Sequence, residues 1–250
     1  MMKLINENPW QYLSVKLPML GAFLLLVIIP ALQWALDYKL IPDQYYAVVT
    51  GLVIPMLAWL GRKISQPNLH NVNQFVTVTA GHSNADPGAV NCKFKEAELV
   101  TKFRNAVAHY LKEAGIAIKT DGVGSDNQNL NTAIKLIKGS DVAVEFHMNA
   151  AASKAAYGIE TIALQKDKKL AQDLSKVVAK AFNSKLRGDA GWIDQSQSAR
   201  GKLGFISNGG LIVELGFISN EAELKTFNEK YWLAARDVAD VLIKYKEALN

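Results

Sequence analysis

The sequence predicts an α/β domain with a mixed, largely parallel sheet flanked by helices, preceded by a two-helix transmembrane hairpin. Three observations lead there. The first 65 of 250 residues hold two long runs without a charge. A polar stretch with a Pro and three Asn, "SQPNLHNVNQ" at 65–74, follows them and reads as a linker. From residue 75 onward, short apolar strands alternate with amphipathic helices, the pattern of βα units around a parallel sheet.

The first run, 17–36, is 20 residues long and uncharged, about the length that crosses a hydrocarbon core. The second, 44–61, is 18 residues long. Trp34, Tyr38, Tyr45, Tyr46 and Trp59 lie near the run ends, where aromatic belts form. Pro18, Pro30 and Pro55 are tolerated in membrane helices. The length of the first run and the presence of a second argue against a cleaved signal peptide. Lys3 and Lys16 precede the first run, and Arg62 and Lys63 follow the second. The positive-inside rule then expects both ends in the cytoplasm. The expected partner is a lipid bilayer, the bacterial inner membrane, with an oligomer in the membrane as a further expectation.

In the second part, 75–250, strands are expected at 75–79, 116–120, 142–146, 159–164 and 211–215. Helices are expected at 96–114, 130–137, 168–185, 221–227 and 230–248. In the first helix Leu99, Val100, Phe103, Val107, Tyr110 and Leu111 share one face, and Gly115 stops it. Net charge is +5 without a Lys/Arg cluster, which gives no case for nucleic acid and favours anionic surfaces. The single cysteine, Cys92, excludes an intrachain disulfide. Phosphate-loop and dinucleotide fingerprints are absent from the sequence.

Three expected strands run into a polar residue: 76–80 into Gly81 and His82, 142–146 into His147, and 211–213 into Glu214. Ligands bind outside the carboxyl ends of strands in open α/β sheets, so these side chains are expected to converge. Glu96, opening the next helix, faces the same end. Two imidazoles and a carboxylate make an open zinc set, which leaves one position for water. Glu214, flanked by "LIV" and "LGF", is a carboxylate in an apolar strand and costly unless paired or used.

At these residues the chain resembles the zinc-dependent N-acetylmuramoyl-L-alanine amidases of the AmiC type, which include many phage endolysins. The motifs are "TAGHSNADPGA", "KEAEL", "VAVEFHMNA" and "GLIVELGFISNEAEL", in this order. The resemblance implies that His82, Glu96 and His147 are ligands of Zn2+ and that Glu214 is the catalytic carboxylate. It implies a zinc amidase fold and zinc-assisted hydrolysis of the amide between N-acetylmuramic acid and L-alanine in peptidoglycan. A membrane-tethered phage endolysin acting on the periplasmic wall is then expected; the cytoplasmic orientation above opposes this, so either the charge rule fails here or the hairpin flips or opens a lesion before lysis. A cell-wall-remodelling amidase and a non-cutting peptidoglycan-binding protein are the alternatives; the presence of all four residues speaks against the last. The chain departs from the family pattern at Glu145, where a Ser is usual, near Asn131, where an Arg is often found, and in Ser83-Asn84 after His82. Gly158 and Glu160 match a family strand read as structural.

Other candidates are weaker. Cys92 is read as a small buried side chain, His109 as a surface residue, and His70 as part of the linker. Tyr231 and Trp232 are read as packing. Trp192, in "RGDAGWIDQSQSARGK", is offered as a substrate contact because loops carry binding residues.

Overall fold

The computed structural model describes residues 23–65, 75–198 and 201–249. The chain divides into two units, Met1–Val72 and Asn73–Asn250.

In the first unit, a π-helical turn, Leu24–Ile28, leads into the helix Ile29–Asp37. After a turn, Tyr46–Val48, a second π-turn Val49–Val53 and the helix Ile54–Ser65 follow. Each π-turn ends two residues before a proline, Pro30 or Pro55. The cause is local. Proline has no N–H and its ring crowds the carbonyl four residues back. The amide just before it, of Ile29 or Ile54, bonds five residues back instead, to Leu24 O and Val49 O. Among the described residues no helix is long and apolar enough to cross a membrane. Of the two expected spans, 17–36 and 44–61, residues 23–36 and 46–61 are helical with a π-turn in each, and 17–22 lie outside the described residues.

The second unit is built on a six-stranded sheet. Its strands are β1 Val76–Ala80, β4 Ile118–Thr120, β5 Val142–Asn149, β6 Glu160–Ala163, β7 Trp192–Asp194 and β8 Leu211–Phe217. A separate short hairpin pairs β2 Val90–Asn91 with β3 Phe94–Lys95. The sheet order is β4-β1-β5-β8-β6-β7, and all pairs are parallel except β6 with β8. The carboxyl ends of β1, β5 and β8 therefore share one edge. The amino end of antiparallel β6 lies there too.

The helices are α1 Glu96–Glu113, α2 Leu130–Ile137, α3 Lys168–Phe182, α4 Gly204–Ser207 and α5 Glu221–Ala248. The larger core joins Val76, Val78, Val144, Phe146 and Val213 to the apolar stripes of α1, α3 and α5. A smaller core, Ala143, Ile162 and Ile212 with Ala133, Ile137, Phe205 and Ile206, joins the opposite face to α2 and α4. Glu145 and His147 alternate with Ala143, and Glu214 with Ile212, so they belong to this second face. Among the described residues, only an eight-residue and a four-residue helix cover it, which leaves room for a cleft.

The sequence reading meets three corrections here. The helices expected at 221–227 and 230–248 are one helix, Glu221–Ala248. Asn228 does not break it, because its Nδ2 bonds back to Leu224 O at 2.9 Å. β7 replaces part of an expected loop. β5 runs on to Asn149, beyond the expected 142–146, so His147 lies within a strand rather than after it, whereas Glu214 lies inside β8 as the expected strand 211–215 has it.

The end of β1 is tied down by a buried ion pair. Arg104 Nη1 reaches Asp121 Oδ1 at 2.8 Å, and both side chains are fully buried. Asp121 also accepts from Ala80 N at 3.2 and 3.3 Å. Burial pushes the Asp121 carboxyl up more than Arg104 pulls it down. Removing one partner would strand the other charge. Arg104→Met should therefore destabilise the second unit by about 3–5 kcal/mol, read as an earlier urea transition; an unchanged midpoint would contradict the anchoring role.

Candidate metal centre and cleft

His82 stands two residues past the end of β1 at Ala80 and has a left-handed backbone, φ 66°. That conformation is uncommon outside glycine and persists when the surroundings impose it. The loop around it is clamped. Asn127 Nδ2 donates to Gly81 O at 2.9 Å, Asn127 N to Asn84 Oδ1 at 2.5 Å, and Asn84 Nδ2 to Ser125 O at 2.8 Å. Asp86 Oδ2 lies 2.9 Å from His82 Nδ1, which turns Nε2 inward.

Glu96 is the first residue of α1 and only 3% exposed. Each of its oxygens meets one backbone amide and one imidazole. Oε1 accepts from Met148 N at 3.0 Å and lies 3.1 Å from His147 Nδ1. Oε2 accepts from Ala89 N at 3.0 Å and lies 3.0 Å from His82 Nε2. His147 Nε2 in turn lies 3.1 Å from Glu145 Oε1. Ligand atoms of His82, Glu96 and His147 fall within 4.8 Å of one another.

Two observations say that this cluster fits a metal ion. His82 Nε2 is buried and, despite its nearness to Glu96, makes no hydrogen bond of adequate geometry. Two glycines also leave the site its space. A Cβ on Gly81 would sit 2.2 Å from His147 Cε1, and one on Gly88 would sit 2.6 Å from His82 Nε2 and 2.8 Å from Glu96 Oε2. The donor set of two nitrogens and a carboxylate suits zinc.

The electrostatics agree. Burial alone would raise the Glu96 carboxyl, but the close contacts and charges of His147 and His82 hold it well below the usual carboxylate range. Burial alone would lower both imidazoles, but the carboxylates win. Glu145 and Glu96 raise His147 well above its ordinary value, and Glu96 and Asp86 raise His82. Asp86 is lowered by the hydrogen bond from His82 and by the Gly88 amide.

Glu214 sits directly opposite His147 in the β5–β8 register and opposite Glu160 in the β6–β8 register. All three line a cleft of about 640 Å³. Its other wall is apolar, with Ile162, Ile193, Leu203, Phe205 and Ile212. Glu160 Oε1 accepts from Asn149 Nδ2 at 2.9 Å and Oε2 from Arg187 Nε at 2.5 Å.

The four residues singled out from sequence thus line one cleft. Others do not join them. Trp192 is 8% exposed; its Nε1 donates to Ala163 O at 3.2 Å, so it is a core residue and not a cleft contact. Cys92 is exposed in the β2–β3 turn, not buried, with φ 53°. His109 lies exposed beside Glu113 at 3.5 Å. Trp232 is half exposed, whereas Tyr231 packs on Phe227. His70 lies outside the described residues. The sequence reading gave no site role to Asp86, Asn149, Arg187 or Glu145. Asp86 had a signal in its place four residues after His82 in the same loop, and Glu145 in being a charge inside an apolar strand.

Comparison with known protein families matches residues 76–244 to Amidase_3, N-acetylmuramoyl-L-alanine amidase. The chain belongs to this family. Among solved structures, this amidase chain is similar to a protein from Neisseria meningitidis assigned as an N-acetylmuramoyl-L-alanine amidase. The two are 44% identical over 67% of this chain and 93% of that one, with a TM-score of 0.63. The catalytic domain of CwlV, an N-acetylmuramoyl-L-alanine amidase from Bacillus (Paenibacillus) polymyxa var. colistinus, shares the fold at 24% identity over 69% of this chain and 98% of that one, TM-score 0.59. An N-acetylmuramoyl-L-alanine amidase from Clostridium difficile 630 does so at 21% identity over 71% and 100%, TM-score 0.60. No curated protein matches the chain significantly.

Two outcomes follow for the amidase site. Gly88→Ala forces a Cβ against His82 and Glu96 at a positive φ, and should weaken zinc binding on the order of 10–100-fold while the far-ultraviolet circular dichroism stays unchanged. Raised imidazoles also mean that a metal must displace protons. Zinc affinity, measured by chelator competition, should therefore fall as pH drops from about 8 to about 6; a flat profile would contradict the electrostatic account.

Proposed function

We propose that His82, Glu96 and His147 hold a zinc ion, and that the cleft hydrolyses the amide joining N-acetylmuramic acid to the L-alanine of the stem peptide. The observation that carries this is the juxtaposition itself. Three metal-suited side chains converge at one sheet edge, and Glu214 stands beside one of them on the neighbouring strand, about 4.8 Å away in backbone terms. A bound zinc supplies Lewis acidity for the scissile carbonyl and a water acidic enough to lose its proton near neutral pH. Glu214 takes that proton and returns it to the departing amine, the work of a general base and then a general acid. Both oxygens of Glu160 are committed to Asn149 and Arg187, so Glu160 serves as a wall group. The apolar wall sheds water from the non-reacting part of the substrate, and the cleft has the size of a small-ligand site.

We also propose that the first unit brings the enzyme to a lipid bilayer, the inner membrane of a bacterial host lysed by phage. Support comes from the surface of that unit. Of the 20 large apolar side chains left exposed among the described residues, 13 lie between Phe23 and Leu60, so this short stretch presents most of the apolar surface that wants cover. The sequence from 17 to 36 and from 44 to 61 carries no charge to oppose burial in lipid.

For the catalytic reading, Glu214→Gln should lower turnover of dye-labelled peptidoglycan by about 10²–10⁴ with zinc content unchanged, and a chelator should abolish activity that added zinc restores. A Glu214→Gln enzyme as fast as the parent would remove Glu214 from the chemistry. For the membrane reading, the full chain should float with anionic phospholipid vesicles in a density gradient; a chain left at the bottom would refute it.

A further inference from the structure

We infer that Glu145 is a positioning residue for the metal, acting through His147; the inference rests on the zinc reading above. Glu145 and His147 are two apart on β5 and so project from the same face. Glu145 Oε1 lies 3.1 Å from His147 Nε2, and Glu145 Oε2 accepts from Thr79 Oγ1 at 3.2 Å. Thr79 sits directly opposite Glu145 in the β1–β5 register. The carboxylate is thus held from both sides, and it is 2% exposed between the fully buried Val144 and Phe146. Among the described residues, its only ion-pair partner is His147. A charge in such a place is costly unless something uses it.

The use is orientation. With Nε2–H bonded to Glu145, the proton of the neutral ring resides on Nε2 and Nδ1 carries the lone pair. Nδ1 is the nitrogen on the Glu96 side, 3.1 Å from Oε1. The backbone of Gly81 closes on the ring so tightly that a Cβ there would lie within 2.5 Å of three ring atoms. His147 is therefore fixed by backbone contact and by the Glu145 bond, with its donor nitrogen turned to the metal cluster. A carboxylate behind a ligating imidazole also makes it a stronger donor.

The test is zinc affinity of the full chain in detergent, by chelator competition, for the parent, Glu145→Ala and Glu145→Gln, with thermal melting beside it. Glu145→Ala should bind zinc about 10–100-fold more weakly. Glu145→Gln keeps an oxygen acceptor for Nε2–H at nearly the same volume, and should recover most of that loss. Cobalt(II) in place of zinc should show a visible spectrum altered in Glu145→Ala and parent-like in Glu145→Gln. Equal affinities in all three would overturn the inference and leave Glu145 as a strand-pairing group whose loss moves only the melting temperature. A Glu145→Gln protein as weak as Glu145→Ala would overturn it too, since charge rather than orientation would then matter. A parent that binds no zinc would instead refute the metal reading itself.

Discussion

The site depends on one buried carboxylate. Glu96 is taken out of water at the start of α1, where the helix end favours negative charge. Its four contacts, two backbone amides and two imidazoles, draw on loop 81–89, α1 and β5 together. No one of these elements forms the site alone. The two histidines lie 65 positions apart in the chain, and Glu96 gives them a common partner. A metal cation in that position and protons on the imidazoles answer the same excess of negative charge, which makes them competitors.

The fold puts this hub at a thinly covered place. Helices α1, α3 and α5 pack the larger core on one face of the sheet, while the short α2 and α4 cover the other. Glu145, His147 and Glu214 lie on the second face, at the edge where β1, β5 and β8 end and β6 begins. The segment after β8 braces this edge. Glu223 accepts from Phe217 N, Gly158 N and Ser184 Oγ at 2.7, 3.0 and 2.6 Å, and Asn220 both caps α5 and bonds Lys154 O and Ala156 O. The "SNEAE" stretch is thus a clasp for the loop between β5 and β6.

Much of this was legible in the sequence because the carriers of information are local. The apolar run before His147 and the one around Glu214 name their strands, and α2 shows its bounds, 130–137, by its apolar spacing. Three-residue β7 was not legible, since Gly, Asp and Ser around Trp192 read as loop and only pairing with β6 makes it a strand. The continuity of α5 was hidden by Asn228, whose side chain bonds within the helix instead of ending it. Glu145 and Glu160 were visible as charges in apolar strands, but their partners, His147 and Arg187, are set by register and loop closure. The uncharged runs of the first unit told of an apolar segment. They did not tell of the π-turns that Pro30 and Pro55 impose on it.

The bond that is cut tests the central claim most directly. Isolated peptidoglycan, digested by the zinc-loaded full chain, would be assayed for the chemical ends set free. The account predicts new L-alanine amino termini and intact N-acetylmuramic acid carboxyl partners, with no new reducing sugars. New reducing ends, or amino termini from within the stem peptide, would contradict it.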